Sequence, residues 1–373
     1  MPPRPPRAID VAVAPTRKGI AIDALIDLRL ARLSSQMLVS RQAETPEAVV
    51  GRILAVQAQD ERGFRLAVRS RSSGLTAKDV DSSLNERRLL VTWLNRGTLH
   101  LVCSDDYWWL HPLTAPRVVP RVNRRLRQEG VDEVRAEQGV RTIVESLESE
   151  GPLSRQGLRL RLDDVGVPTK GQAMIHLLAL ASLRGLIVRG PVLGADHAYV
   201  SVSAWLGTPP APLASNEALA RLALRYLAGH EPASAEDLVK WAGIRLADAR
   251  TGLAEIAQEV RDIGGVFARR SSELGSLPVA PPRLLGAFDP LLHGWASREP
   301  FVGVHGAVVT TNGIFRPVAL VGGRVVATWR LPASGVVIDL LESPDDACLS
   351  ELREDAADVR RFFGLAPAPV KLA

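Results

Sequence analysis

Apolar residues recur at helical spacing in IDALIDLRLARLSSQML and again in TPEAVVGRILAVQAQ. In the second stretch Thr45 can cap a helix and Pro46 suits its first position. GFRLAVRSRSSG predicts a third, short helix ended by Gly74, and TAKDVDSSLNERRLL a fourth capped by Thr76. The period then changes: VTWLNRGTLHLV sets β-forming residues on both sides of Asn95-Arg96-Gly97, a hairpin signal. Helices followed by a β-hairpin are the outline of a winged helix, within the helix-turn-helix group.

The outline recurs twice. VRTIVESLESEG, LSRQGLRLRLDD and KGQAMIHLLALASLRGLIVRG predict three helices, the last the longest, with a strand pair around GPVLGAD. SNEALARLALRYLAGH, SAEDLVKWAGI and RLADARTGLAEIA predict three more, followed by GGVFARR. After each first helix comes a related junction, EGPLSRQGL or HEPASAEDL, in which Ser154 or Ser234 can cap the next helix. From about residue 283 the texture turns to Val, Thr and Gly, a meander with turns at TNG and VGGR, and DDACLSELREDAADVRRFFG closes the chain as a helix. The expected fold is α+β and mainly helical: a basic arm (1–20), three tandem winged-helix units (21–130 with a basic extension, 131–208, 213–282) and a small β-barrel or sheet with a terminal helix (283–373).

With 46% apolar residues and a mean hydropathy of +0.05, the chain can build real cores, yet no apolar run approaches a membrane span. The start, MPPRPPRAIDVAVAP, is basic and Pro-rich without the apolar core of a signal peptide and reads as a disordered arm, so a cytoplasmic protein is expected. Two cysteines, Cys103 and Cys348, fit a reducing compartment. Net charge is +5, but residues 1–130 hold 21 Lys+Arg against 13 Asp+Glu, so the positive charge gathers at the front, where an anionic partner is expected. There is no Walker loop, GxGxxG, HExxH or CxxC, and the seven His are scattered; neither a metal, a nucleotide cofactor nor any other cofactor is expected.

Four stretches bear on chemistry. QAQD places Gln57 and Gln59 around the expected end of the second helix; alone it reads as a solvated helix end. An amide cannot take up a proton at neutral pH, but it can hold a water through one donor and one acceptor. Such a pair suits a reaction that needs water placed and little acid or base help. Arg62, Arg65 and Arg69 follow at helical spacing with Arg71 beyond, and Arg117, Arg121, Arg124, Arg125 and Arg127 form a second cluster; both suit phosphates. Arg96 stands at the hairpin tip and His100 on the return strand, where a strand histidine satisfied in the core is the plainer reading. DYWWLHPL reads as core, and FDPLLHGW as a turn packed between the last unit and the winged helices.

LAVQAQD, VTWLNRGTLHLV, FDPLLHGW and GIFRPVALVGGRVVATWR, in this order, resemble the AlkZ/YcaQ-type winged-helix DNA glycosylases over roughly residues 20–365. The resemblance implies three tandem winged helices plus a C-terminal β-barrel, a concave basic surface for duplex DNA, and excision of N7-alkylated purines, interstrand crosslinks included, without metal or nucleotide. Gln57-Ala58-Gln59 is similar to that family's Gln-Φ-Gln motif, with Asp60 directly after it. The expectation is a monomeric monofunctional DNA glycosylase in which Gln57 and Gln59 position water, Arg62, Arg65, Arg69 and Arg96 hold phosphates and His100 contacts DNA near the lesion. The alternative is a non-catalytic winged-helix DNA-binding protein or transcriptional regulator.

Overall fold

Asp27 opens the first helix, accepting from the backbone N–H groups of Arg29 and Leu30 at the start of α1 (Leu28–Ser35). The computed structural model describes residues 27–194, 196–274 and 277–373; the arm expected at 1–20 lies outside them. α2 (Pro46–Ile53) begins as its sequence predicts, with Thr45 Oγ1 accepting from Ala48 N at 3.1 Å. It stops well short of the glutamines. Buried Leu54 takes φ +71°, a conformation costing a non-glycine residue about 1–3 kcal/mol, and the chain turns into the short strand β1 (Val56–Gln57). Next come α3 (Glu61–Arg69) and α4 (Ala77–Asn85), the latter closed by a capping box between Thr76 and Asp79. β2 (Leu89–Leu94) and β3 (Thr98–Cys103) pair antiparallel around the expected turn, and α5 (Ser104–Thr114) and α6 (Val119–Gln128) complete the first group.

α7 (Glu133–Glu150), α8 (Arg155–Asp164), α9 (Ala173–Leu183), β4 (Ile187–Leu193), β5 (Asp196–Ser201) and α10 (Val202–Leu206) form the second group. Ser154 caps α8 through Gly157 N, as expected. α9 is shorter than α7, because Gly185 at φ +75° ends the helix and the apolar run beyond it is strand. The two hairpins share one sheet, ordered β1-β3-β2-β4-β5, through the pair Val91↔Arg189. β2 is buried at every position, so it serves as a central strand rather than a hairpin edge.

The third group is α11 (Ser215–His230), α12 (Ala235–Ala242) and α13 (Leu246–Glu255), followed by the hairpin β6 (Val260–Ile263) and β7 (Val266–Arg269). Ser234 and Asp237 cap α12 reciprocally. Leu222, Tyr226 and Leu227 of α11 share one buried cluster with Leu33, Leu54 and Leu90, so this group packs directly onto the first.

The C-terminal region comprises β8 (Arg283–Leu285), α14 (Glu299–Val302), β9 (Val318–Val321), β10 (Arg324–Arg330), β11 (Val336–Leu340), α15 (Asp346–Phe362) and β12 (Val370–Leu372). Its sheet runs β12-β11-β10-β9-β8 and is open: β12 and β8 are edges, so the β-barrel implied by the resemblance is corrected to a sheet. α15 does not close the chain, since β12 returns after it to pair parallel with β11. The fold is α+β, with helix outweighing strand.

Candidate active site

β1 resolves the placement of the two amides. Val56 and Gln57 pair with Leu101 and His100, and Ala58 N donates to Leu99 O at 2.8 Å, so the chain stays extended through the motif. Side chains alternate faces along an extended chain. Val56 and Ala58 therefore enter the core with Val49, Phe64 and Val80, while Gln57 and Gln59 share the opposite side. Gln57 is 4% exposed and Gln59 is exposed. Gln57 Nε2 donates to Gln59 Oε1, which fixes the pair, and Gln57 Oε1 is buried with no hydrogen-bond partner among the described residues. Asp60 is committed elsewhere: its carboxylate accepts from Gly63 N and caps α3.

The glutamines line a cleft of about 310 Å³ built from three regions of the chain. The β2–β3 hairpin gives Arg96 and Thr98, α12 gives Lys240, and the C-terminal region gives His293, Trp295, Arg298, Gly313 and Phe315. Among the described residues no carboxylate lines it, whereas three cations do. Burial and then the charge of Arg298 lower the pKa of Arg96, so these two guanidiniums repel across the cleft. Two uncompensated guanidiniums in one cleft suit an anion such as a backbone phosphate. Arg96 reaches the third group by donating to Lys240 O, and Arg298 lies over the Phe315 ring, 5.0 Å from its centroid.

FDPLLHGW sits at the far wall, as a turn held to the end of α3 by Asp289 and Arg71 and to α11 by Tyr226 Oη donating to Gly294 O at 2.7 Å. Asp289 caps its 3₁₀ turn (Pro290–Leu292) through Leu291 N. Gly63 and Gly286 allow the segment to come close: a Cβ on Gly63 would overlap the Ala287 carbonyl oxygen. His293 follows, its ring centroid 3.8 Å from that of Phe315 and 6.0 Å from that of Phe288, nearly parallel to the latter. Burial, then Arg96, Arg298 and His100, push its pKa well below the ordinary value, so it is neutral at pH 7.

The helical arginine face is the main correction. Arg69 is 1% exposed and binds Asp355 at 2.9 Å, Asp358 at 3.1 Å and the Leu284 carbonyl at 2.7 Å, so it straps α3 to α15 and has no surface for a phosphate. Arg65 is half-buried: Nε and Nη2 donate to Asp81, Nη1 to the Glu61 carbonyl, and Nη2 also meets His197 at 3.1 Å. It ties α3 to α4 and β5 instead of facing DNA. Arg71 is buried against Asp289. Arg62 alone of this run is exposed. His100 is 3% exposed, beside Gln57 on the neighbouring strand, with Nδ1 bonded to Thr98 O at 2.9 Å; burial holds its pKa down at about 3. That geometry favours the core role over direct DNA contact. Helical spacing placed Arg62, Arg65 and Arg69 on one face but could not say that α15 covers Arg69 while Asp81 of α4 and His197 of β5 take Arg65.

Lys240 and Arg298 were not legible as site residues, because they converge from segments distant in sequence; Thr98 and Phe315 lie in the VTWLNRGTLHLV and GIFRPVALVGGRVVATWR stretches but carry no chemical signal of their own. The FDPLLHGW motif was the available signal for His293 and Trp295. Among the described residues no three His, Cys, Asp or Glu side chains gather as metal ligands, and no helix is long and apolar enough to cross a membrane.

Residues 50–362 match the family model described as "DNA glycosylase AlkZ-like". The chain is 26% identical over 377 residues to the interstrand DNA cross-link repair glycosylase of Streptomyces sahachiroi, covering 91% of this chain and 97% of that protein. The solved structure of Streptomyces sahachiroi DNA glycosylase AlkZ superposes with a TM-score of 0.73 at 23% identity, over 93% of this chain and 98% of that one, and shares its fold. The protein thus belongs to the AlkZ-like family of DNA glycosylases.

Proposed function

We propose that this glycosylase hydrolyses the N-glycosidic bond of N7-alkylated purines in duplex DNA, purines joined in interstrand crosslinks included. The observation that carries the reading is the buried Gln57 carbonyl oxygen, fixed by Gln59 and, among the described residues, without a hydrogen-bond partner, in a cleft that these residues line with three cations and no carboxylate. An N7-alkylpurine already carries positive charge, so the departing base needs no protonation. What remains is to place a water against the anomeric carbon and to stabilise an oxocarbenium-like sugar. Both amide oxygens can do this: Gln57 Oε1 offers two lone pairs and Gln59 Oε1 the one left over from its bond to Gln57. Neutral dipoles also avoid a buried carboxylate, which this cleft has no way to stabilise except through cations that the phosphates need.

Arg96, Arg298 and Lys240 at the cleft and Arg62 outside it hold the flanking phosphates. Three winged-helix units, divided near residues 130, 208 and 282, carry this surface, and the enzyme acts as a monomer on nucleoid DNA. The Streptomyces sahachiroi relative, named for interstrand cross-link repair, supports crosslinked substrates. A bulky crosslinked base cannot be swung into a tight pocket, and a cleft between units accommodates it. The test is incubation with N7-methylguanine-containing duplex and with a duplex crosslinked through N7 of guanine. Release of free base from the first and separation of the strands of the second are expected; absence of both overturns the proposal.

A further inference from the structure

The imidazole of His293 resembles Gln57 in one respect. Its Nε2 is buried with no hydrogen-bond partner among the described residues, and it lines the same cleft. Leaving a buried polar atom unpaired costs about 1–3 kcal/mol, and a Phe would pack as well between Phe288 and Phe315. His230 also leaves Nε2 unpaired, but it lies in the core, stacked on Tyr226 at 4.5 Å, away from the cleft lining. Among the described residues only His293 combines an unsatisfied ring nitrogen with the candidate active site.

We propose that His293 is a further catalytic residue of this reaction: its Nε2 and Gln57 Oε1 accept the two hydrogens of the attacking water. This rests on the glycosylase site proposed above. A water so held has a lone pair free for the anomeric carbon. As its oxygen bonds to C1′, the C1′–N9 bond breaks and the bonding pair leaves with the purine. The purine arrived cationic and departs neutral. The positive charge is now on the attacking oxygen and is lost as a proton, which His293 takes up and passes to solvent. The surroundings keep the ring ready to accept. Arg96 of the hairpin, Lys240 of α12, Arg298 of its own segment and His100 of β3 face it, and Asp289, four residues upstream, is locked to Arg71. The ring is held in place by its two aromatic neighbours and by His293 N donating to Pro290 O at 3.0 Å.

The test is single-turnover release of N7-methylguanine from alkylated duplex by wild type, His293→Phe and His293→Gln, with duplex affinity and thermal midpoint measured for each. Phe keeps the ring stack without the acceptor; Gln restores an acceptor. His293→Phe should be about 100-fold slower with an affinity within about twofold of wild type, and His293→Gln should recover at least about tenfold of the loss. A His293→Phe rate within about threefold of an active wild type overturns the inference and leaves the glycosylase reading standing. A loss confined to affinity, or no recovery in a folded His293→Gln, also overturns the inference alone. No release by wild type from methylated or crosslinked duplex overturns both.

Discussion

Arg71 and Asp289 form a bidentate ion pair at 2.8 and 3.0 Å, with neither side chain exposed at all. Arg71 also donates to Gln36 Oε1 at 2.9 Å and to the Ala67 carbonyl at 3.0 Å. The pair therefore joins the end of α3 to the turn that carries His293. At the other end of α3, Asp60 caps the helix directly after the glutamines. Both walls of the cleft are braced by one helix. Removing one partner strands a buried charge, so Asp289→Ala should cost about 3–5 kcal/mol. A thermal midpoint unchanged from wild type would show that the pair does not hold the fold together.

Arg62 and Arg69, seven residues apart on one helix, should behave in opposite ways. Arg69→Met breaks a buried strap to Asp355 and Asp358 and should lower the thermal midpoint. It should leave the salt dependence of DNA affinity unaltered. Arg62→Ala should leave stability within about 0.5 kcal/mol and reduce the slope of log affinity against log salt by about 0.9. Duplex titrations at three salt concentrations, with melting curves, separate the two.

Arg298→Ala removes a guanidinium from the cleft, where Arg96 has no carboxylate to offset it. The loss of one phosphate contact should again flatten the salt slope by about 0.9. Relief of its repulsion with Arg96 should keep stability at or above that of wild type. A melting midpoint well below wild type would mean that Arg298 is structural.

Acid should unfold the protein early. Burial holds His100, His197 and His230 down at about 3 and His111 at about 4, with nearby arginines adding to the effect at the first three. In the unfolded chain these rings take up protons near pH 6.5. Between pH 6.5 and the folded values the unfolded state binds more protons, so stability falls as pH drops through that window. Each histidine contributes a slope of about 1.4 kcal/mol per pH unit within it. Asp355, lowered despite its burial by Arg69 and Arg41, adds a further loss at pH below about 4. Melting midpoints at pH 7.5, 6 and 5 should decrease in that order; equal values at 7.5 and 5 would contradict the buried neutral state.

The helices legible in the sequence were those with local signals. Thr45, Thr76, Ser154 and Ser234 cap helices in the structure because capping depends on a few adjacent residues. The Asn95–Gly97 turn was legible for the same reason. The end of α2 was not, since a positive φ at Leu54 leaves no mark in a continuous apolar run. That one torsion converts two amides on nearly opposite sides of a helix into neighbours on one side of a strand. The burial of Arg65, Arg69 and Arg71 depends on partners far away in sequence, His197, Asp355 and Asp289, and the open C-terminal sheet on the pairing of β8 with β9 and of β11 with β12; periodicity records neither. The Gln-Φ-Gln motif was legible through family resemblance and Arg96 through its hairpin turn; that Lys240, Arg298 and Phe315 gather around them came only from the fold.

The most direct test of the account is the single-turnover rate of N7-methylguanine release from alkylated duplex by Gln57→Ala and Gln59→Ala beside wild type. Gln57→Ala removes the buried carbonyl that holds the water and should slow release by about 100- to 1,000-fold, with duplex affinity within about twofold of wild type. Gln59→Ala removes the group that orients Gln57 and should slow release less, by about tenfold or more. Wild-type rates in both variants would contradict the assignment of the paired amides as the active site.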